Sequence, residues 1–180
     1  QEIYTGMKDQ KNIISELLDW TKTIIIALAV GFVASKVLIT SAQVPTGSME
    51  DTVMAGSRLL INRVAYAVSE PKRGDIIAFY FPDDEETVYL KRIIALPGET
   101  VEGRDGKVCV DGEPLEEDYI TEKIDSDFGP FYVPADMYFV MGDNRNDSWD
   151  SRFWEHKFVA KKKIIGKAEM EYFPKIKLLF

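Results

Sequence analysis

Apolar and polar positions divide the chain into two unequal parts. From Trp20 to Ile39, twenty residues run almost without charge, interrupted only by Lys22 and Lys36 near the two ends. As a helix such a run covers about 30 Å, the thickness of a bilayer's hydrocarbon core, so residues 20–39 are predicted to form one transmembrane signal anchor. Both lysines can snorkel to the interfaces, and Trp20 suits an interfacial belt. Two other readings compete: a buried helix of a soluble protein, and a cleaved signal peptide ending at the small residues Thr40-Ser41-Ala42. The retained anchor is favoured because the stretch is long and Lys36 interrupts its end. Lys8, Lys11 and Lys22 lie at or before its start, while residues 40–57 contain neither Lys nor Arg. That asymmetry predicts a single pass of the cell membrane, with residues 1–19 cytosolic and residues 42–180 on the outer face.

Beyond Ala42 the helical period disappears. Short runs rich in β-branched and aromatic residues recur between turn signals: Arg58–Ala65, Asp75–Phe81, Thr87–Leu96, Lys107–Val110, Met137–Met141 and Lys163–Phe173. Pro97-Gly98 fits the centre of a type II turn and Asp111-Gly112 a hairpin turn. The prediction is a mainly β protein, a folded or coiled sheet of about 140 residues preceded by the helix. Residues 99–136, more acidic and less regular between Glu113 and Gly129, read as a small excursion from the main sheet.

Composition narrows the function. The net charge is −8, and the first 40 residues balance four lysines against four carboxylates, so all of it belongs to residues 41–180. So acidic a domain does not suit nucleic acid. One cysteine, Cys109, excludes an intrachain disulfide framework, and one histidine, His156, leaves no Cys/His metal spacing. No metal or other cofactor is expected.

Candidate chemistry begins at Val44-Pro45-Thr46-Gly47-Ser48-Met49, where a serine follows a glycine in a Pro-initiated turn. A bare serine needs an adjacent base to become a nucleophile, and His156 lies in a polar stretch that suggests no role. Lys91 is the other candidate. The two-residue strand period puts Tyr89, Lys91 and Ile93 on one face and Leu90, Arg92 and Ile94 on the other. Apolar neighbours would desolvate the lysine and lower its pKa, as a base near neutral pH requires. The residues alone leave open the alternative of a sheet-rim lysine with its amine in water. The polar run from Gly142 to Arg152 follows an apolar strand directly. It lacks the glycine and glutamate of a calcium loop and reads as a network of Asp–Arg pairs and hydroxyls supporting a site.

Pro45-Thr46-Gly47-Ser48-Met49, Arg73-Gly74-Asp75-Ile76-Ile77, Lys91–Glu99 and Gly142-Asp143-Asn144-Arg145…Ser148…Asp150-Ser151-Arg152 resemble, in order, the boxes of bacterial type I signal peptidases, in their compact Gram-positive form. The resemblance implies a membrane-bound serine endopeptidase that removes signal peptides from exported preproteins after Ala-x-Ala-type sites. It implies Ser48 as nucleophile forming an acyl-enzyme and Lys91 as general base. Thr46, with the Ser48 N–H, would complete the oxyanion hole, and Ser148 would orient the lysine amine. Asp143 would pair with Arg92, while Asp150 and Arg152 would brace the loop. Val44, Pro45, Met49, Tyr89 and Leu90 would line pockets for small substrate side chains. The implied partners are exported preproteins and the lipid bilayer.

The sequence departs from the family pattern in places. The family usually carries proline shortly after Ser-Met, where this chain has Glu50-Asp51; the change removes a φ restraint and adds charge. Thr46 stands where many members have serine, and Trp149 is bulkier than expected. Rival readings are weaker. Arg73-Gly74-Asp75 matches an adhesion tripeptide but also makes a turn into a strand. A non-catalytic scaffold would lack Ser48 or Lys91, and a self-cleaving repressor would need a DNA-binding helix-turn-helix that residues 1–22 are too short to form.

Overall fold

The structure, a computed structural model, describes the backbone of residues 2–179 and the side chains of residues 15–33 and 37–179. The chain divides into two units, residues 1–38 and 39–180. The first is one helix, α1 (Glu2–Leu38). Its described apolar side chains are exposed, Ile24, Ile25, Ile26, Leu28, Val30, Phe32 and Val33 among them. Among the described residues no helix is long and apolar enough to cross a membrane; side chains 34–36 of the expected span lie outside the described ones. The helix stops at Leu38, one residue short of the expected end. Ile39 and Thr40, both β-branched, instead open a strand that pairs with Asn62 and Ile61.

The second unit is mainly β, as its short β-branched and aromatic runs predict. Its strands are β1 (Ile39–Gln43), β2 (Arg58–Asn62), β3 (Ile76–Tyr80), β4 (Val88–Ala95), β5 (Thr100–Arg104), β6 (Lys107–Val110), β7 (Glu113–Pro114), β8 (Phe128–Tyr132), β9 (Met137–Met141), β10 (Val159–Ala160), β11 (Ile164–Phe173) and β12 (Lys177–Leu178). The larger sheet runs β1-β2-β11-β3-β4-β9-β10 with β12 on β11; the smaller runs β7-β6-β5-β8. All pairings are antiparallel. The expected strand Arg58–Ala65 ends early, at Asn62, whose side chain accepts the Val64 N–H and turns the chain. Three strands of the small sheet, β5, β7 and β8, lie outside the expected runs, and β5 and β8 show why. They pair Thr100 with Tyr132 across 32 residues, and an isolated window of sequence cannot show a partner that far away.

Position of the site follows from β4. Its residues Val88 to Ala95 lie between β3 and β9, which makes it a central strand whose later residues are buried on both faces. Ile93 and Tyr89 pack with Ile77, Phe79, Val140 and Trp154. Leu90 packs instead on the cluster of Met49, Leu59, Ile76 and Ala78. The strand period thus sends alternate residues to different cores.

Candidate active site

Three segments meet at one point: the turn after β1, the middle of β4 and the loop after β9. The turn is built by local bonds. Glu50 N–H donates to the Gly47 carbonyl at 3.0 Å, and Thr52 and Val53 donate to the Met49 carbonyl at 3.0 and 2.7 Å. Val44 is fixed to the sheet by Ser57 and Gly56, at 2.9 and 2.8 Å. Asn144 ties the third segment to the first, its amide donating to the Gly47 carbonyl (3.1 Å) and its N–H to the Ser48 carbonyl (3.2 Å).

Within this frame the Lys91 amine donates a short hydrogen bond to Ser48 Oγ. Lys91 is 4% exposed, so its amine is not in water and the sheet-rim reading does not describe this fold. Its Nζ lies 5.7 Å from the Tyr89 ring centroid. Burial pushes the amine down from 10.5 to about 8; Asp150 and Asp143 pull it up, and Arg152 pushes it down further. Thr46 Oγ1 stands 3.3 Å from Ser48 Oγ, and among the described residues no acceptor takes the Ser48 N–H.

Ser148 is buried, and its Oγ has no hydrogen-bond partner among the described residues; the hydrogen bond to Lys91 implied by the resemblance is not formed. The hydroxyl sits over Gly142, where an added Cβ would meet Ser148 Oγ at 2.2 Å and the Ser48 carbonyl oxygen at 2.3 Å. Only glycine fits at that crossing.

Two buried ion pairs hold the surroundings. Arg92 gives Asp143 two hydrogen bonds, Nε to Oδ1 at 2.8 Å and a terminal nitrogen to Oδ2 at 2.6 Å, and a third to the Gly74 carbonyl. Asp150 and Arg152 pair in the same two-pronged way, at 2.8 Å each, and the Asp150 carboxylate also accepts the Gly142 N–H. A third pair, Arg145–Glu117, was missed: its carboxylate lies in the irregular acidic excursion, where no period marks it.

Ser48 and Lys91 open into a groove of about 480 Å³ whose walls include Val44, Pro45, Met49, Tyr89 and Leu90, with Trp149 and Asp147 at one side. Trp149 stacks on Phe153, centroids 5.5 Å apart. His156 is exposed, bonded to Asp83, and lies outside this groove. Asp75 of the adhesion-like tripeptide is buried and bound to Tyr66, Lys72 and Lys167, so it cannot be displayed to a receptor.

The arrangement can do acyl transfer: a hydroxyl, a desolvated amine to take its proton, and free donors beside them. Comparison with known proteins finds relatives for most of the chain. The family described as "Signal peptidase, peptidase S26" matches residues 17–173. A signal peptidase I of Leptolyngbya laminosa is 37% identical over 168 residues, 89% of this chain and 81% of that protein. A signal peptidase I P of Bacillus subtilis subsp. natto is 38% identical over 170 residues, 89% and 91% of the two chains. Among solved structures, a signal peptidase I from Enterococcus faecalis V583 is 38% identical, with 56% of this chain and 97% of that one covered and a TM-score of 0.48.

Proposed function

This chain belongs to the signal peptidase family, peptidase S26, serine peptidases that remove signal peptides from preproteins, and on that premise we propose that Ser48 and Lys91 form its catalytic dyad. The supporting observation is the hydrogen bond from the buried Lys91 amine to Ser48 Oγ. With the amine neutral, Ser48 Oγ attacks the scissile carbonyl and Lys91 takes its proton. The same proton then passes to the departing amine as the peptide bond breaks, leaving an ester on Ser48. Lys91 next removes a proton from water, which attacks the ester; as the ester bond breaks, the Lys91 ammonium returns that proton to Ser48 Oγ and the signal peptide leaves with its new carboxylate. The Ser48 N–H and the Thr46 hydroxyl receive the oxyanion. Ser148, whose buried hydroxyl lacks a partner among the described residues, accepts a hydrogen bond from the Lys91 amine during turnover and holds the lone pair toward Ser48.

Substrates bind along the groove, whose walls include the apolar side chains of Val44, Pro45, Met49, Tyr89 and Leu90. An apolar lining suits small apolar side chains such as those of Ala-x-Ala-type sequences. The exposed apolar side chains of α1 support a membrane anchor, and the lysines near its start support a cytosolic N-terminus and an outer-face catalytic unit. Ser48 then lies nine residues beyond Ile39 in the sequence. The test is cleavage of a preprotein by the detergent-solubilised chain. The unmutated protein cuts at the signal-peptide junction and Ser48→Ala does not. An unmutated protein inactive on several preproteins, or an active Ser48→Ala, contradicts the proposal.

A further inference from the structure

One segment outside the dyad touches all three parts of the site. Between β7 and β8, alternate residues Glu117, Tyr119 and Thr121 each reach a different catalytic segment. The Glu117 carboxylate receives two hydrogen bonds from Arg145, at 2.7 and 2.8 Å, in a pair whose side chains are 5% and 0% exposed. Arg145 Nε in turn donates to the carbonyl of Gly142 at 3.0 Å, the residue crossed by Ser148 and the Ser48 carbonyl. The Tyr119 ring lies 3.8 Å from the Arg92 guanidinium carbon, next in sequence to Lys91, and its hydroxyl donates to Glu117 at 2.5 Å. Thr121 Oγ1 donates to Asp51 Oδ2 at 2.5 Å, three residues past Ser48. Asn146, in the third segment, adds a bond to the Lys123 carbonyl at 2.9 Å.

Asp51 explains why such a brace is needed. Its φ is +26°, in the left-handed range that costs a non-glycine residue energy and persists only where neighbours enforce it. Proline, with φ fixed near −65°, could not follow this path. The turn after Ser48 therefore lacks the restraint usual in the family and is held instead by Thr121.

We propose that Glu117, Tyr119 and Thr121 are positioning residues for the Ser48–Lys91 pair, with the Thr121–Asp51 hydrogen bond supplying the rigidity of the missing proline. The inference rests on the dyad reading above. None of the three lines the substrate groove, so they act on the chemical step and leave substrate binding alone.

The experiment measures kcat and KM for preprotein cleavage by the full chain in detergent, with unfolding followed in parallel. Thr121→Val and Asp51→Ala each lower kcat about five- to tenfold, the effect of one lost charge-assisted hydrogen bond, with KM within about twofold. The double variant is no slower than the slower single one, because both remove the same bond. Thr121→Ser, which keeps the hydroxyl, restores kcat. Tyr119→Phe keeps the ring on Arg92 and stays near the unmutated rate, whereas Tyr119→Leu falls about tenfold. Should Tyr119→Leu fail to fold, the Thr121 series decides alone. Folded Thr121→Val with unchanged kcat overturns the inference, as do additive losses or a failure of Thr121→Ser to rescue. Because Ser48→Ala is assayed beside these variants, loss of this inference leaves the dyad reading standing, and the reverse outcome is equally visible.

Discussion

Lys91 donates a hydrogen bond to Ser48 from a strand position 43 residues further along the chain, at a point where its amine is 4% exposed. The burial is as important as the bond. Ile93 and Tyr89 on its own face belong to an apolar cluster, and the two carboxylates that act on the amine, Asp150 and Asp143, are each already paired with an arginine. The amine is desolvated without a carboxylate of its own, so it gives up its proton readily.

The first consequence is a pH dependence. With Lys91 at about 8, the reactive neutral form is lost as pH falls, so kcat/KM declines tenfold per unit on the acid side of about pH 8. A pH–rate profile checks this; a plateau extending down to pH 6 would contradict it.

The second is a stability effect of the same group. Its folded pKa lies below the unfolded value of 10.5, so between about pH 8 and 10.5 the unfolded chain binds the extra proton. This group's contribution to stability therefore rises with pH through that window, and below it the buried charge costs the fold about 3 kcal/mol. Lys91→Met, of similar length and uncharged, should be more stable than the unmutated protein at pH 7, by about 1–3 kcal/mol, and should lack that pH-dependent rise. Urea unfolding at pH 7 and pH 10 measures both.

A third concerns Gly142. Alanine there would overlap Ser148 Oγ and the Ser48 carbonyl oxygen, and at least one of them is backbone that cannot turn aside. Gly142→Ala should lose about 1–3 kcal/mol of stability and, by shifting Ser48, about a hundredfold or more in kcat. Thermal unfolding and the cleavage assay read the two effects separately.

Much of the β architecture was legible because short runs of β-branched and aromatic residues between turn signals mark strands: β3, β4, β9 and β11 each begin or end within a residue or two of the expected runs. The face assignment of Lys91 came from the two-residue strand period, though only the fold could show that β4 is covered on both faces. What stayed hidden was long-range. Glu117 and Arg145 are 28 residues apart, and Thr121 and Asp51 are 70 apart. Nothing in an acidic, aperiodic stretch marks which carboxylate or hydroxyl will be buried against a distant partner. The charge that Glu50-Asp51 adds also changes character: Asp51 is tied to the Thr121 hydroxyl rather than left as a free charge beside Ser48.

The Ser48–Lys91 dyad is tested by single-turnover cleavage of a preprotein by Lys91→Ala, with folding checked by thermal unfolding. A folded protein is expected whose cleavage rate is lower by at least about a thousandfold across pH 6–10, the loss that follows when a general base is removed. A folded Lys91→Ala that cleaves within tenfold of the unmutated rate would contradict the dyad.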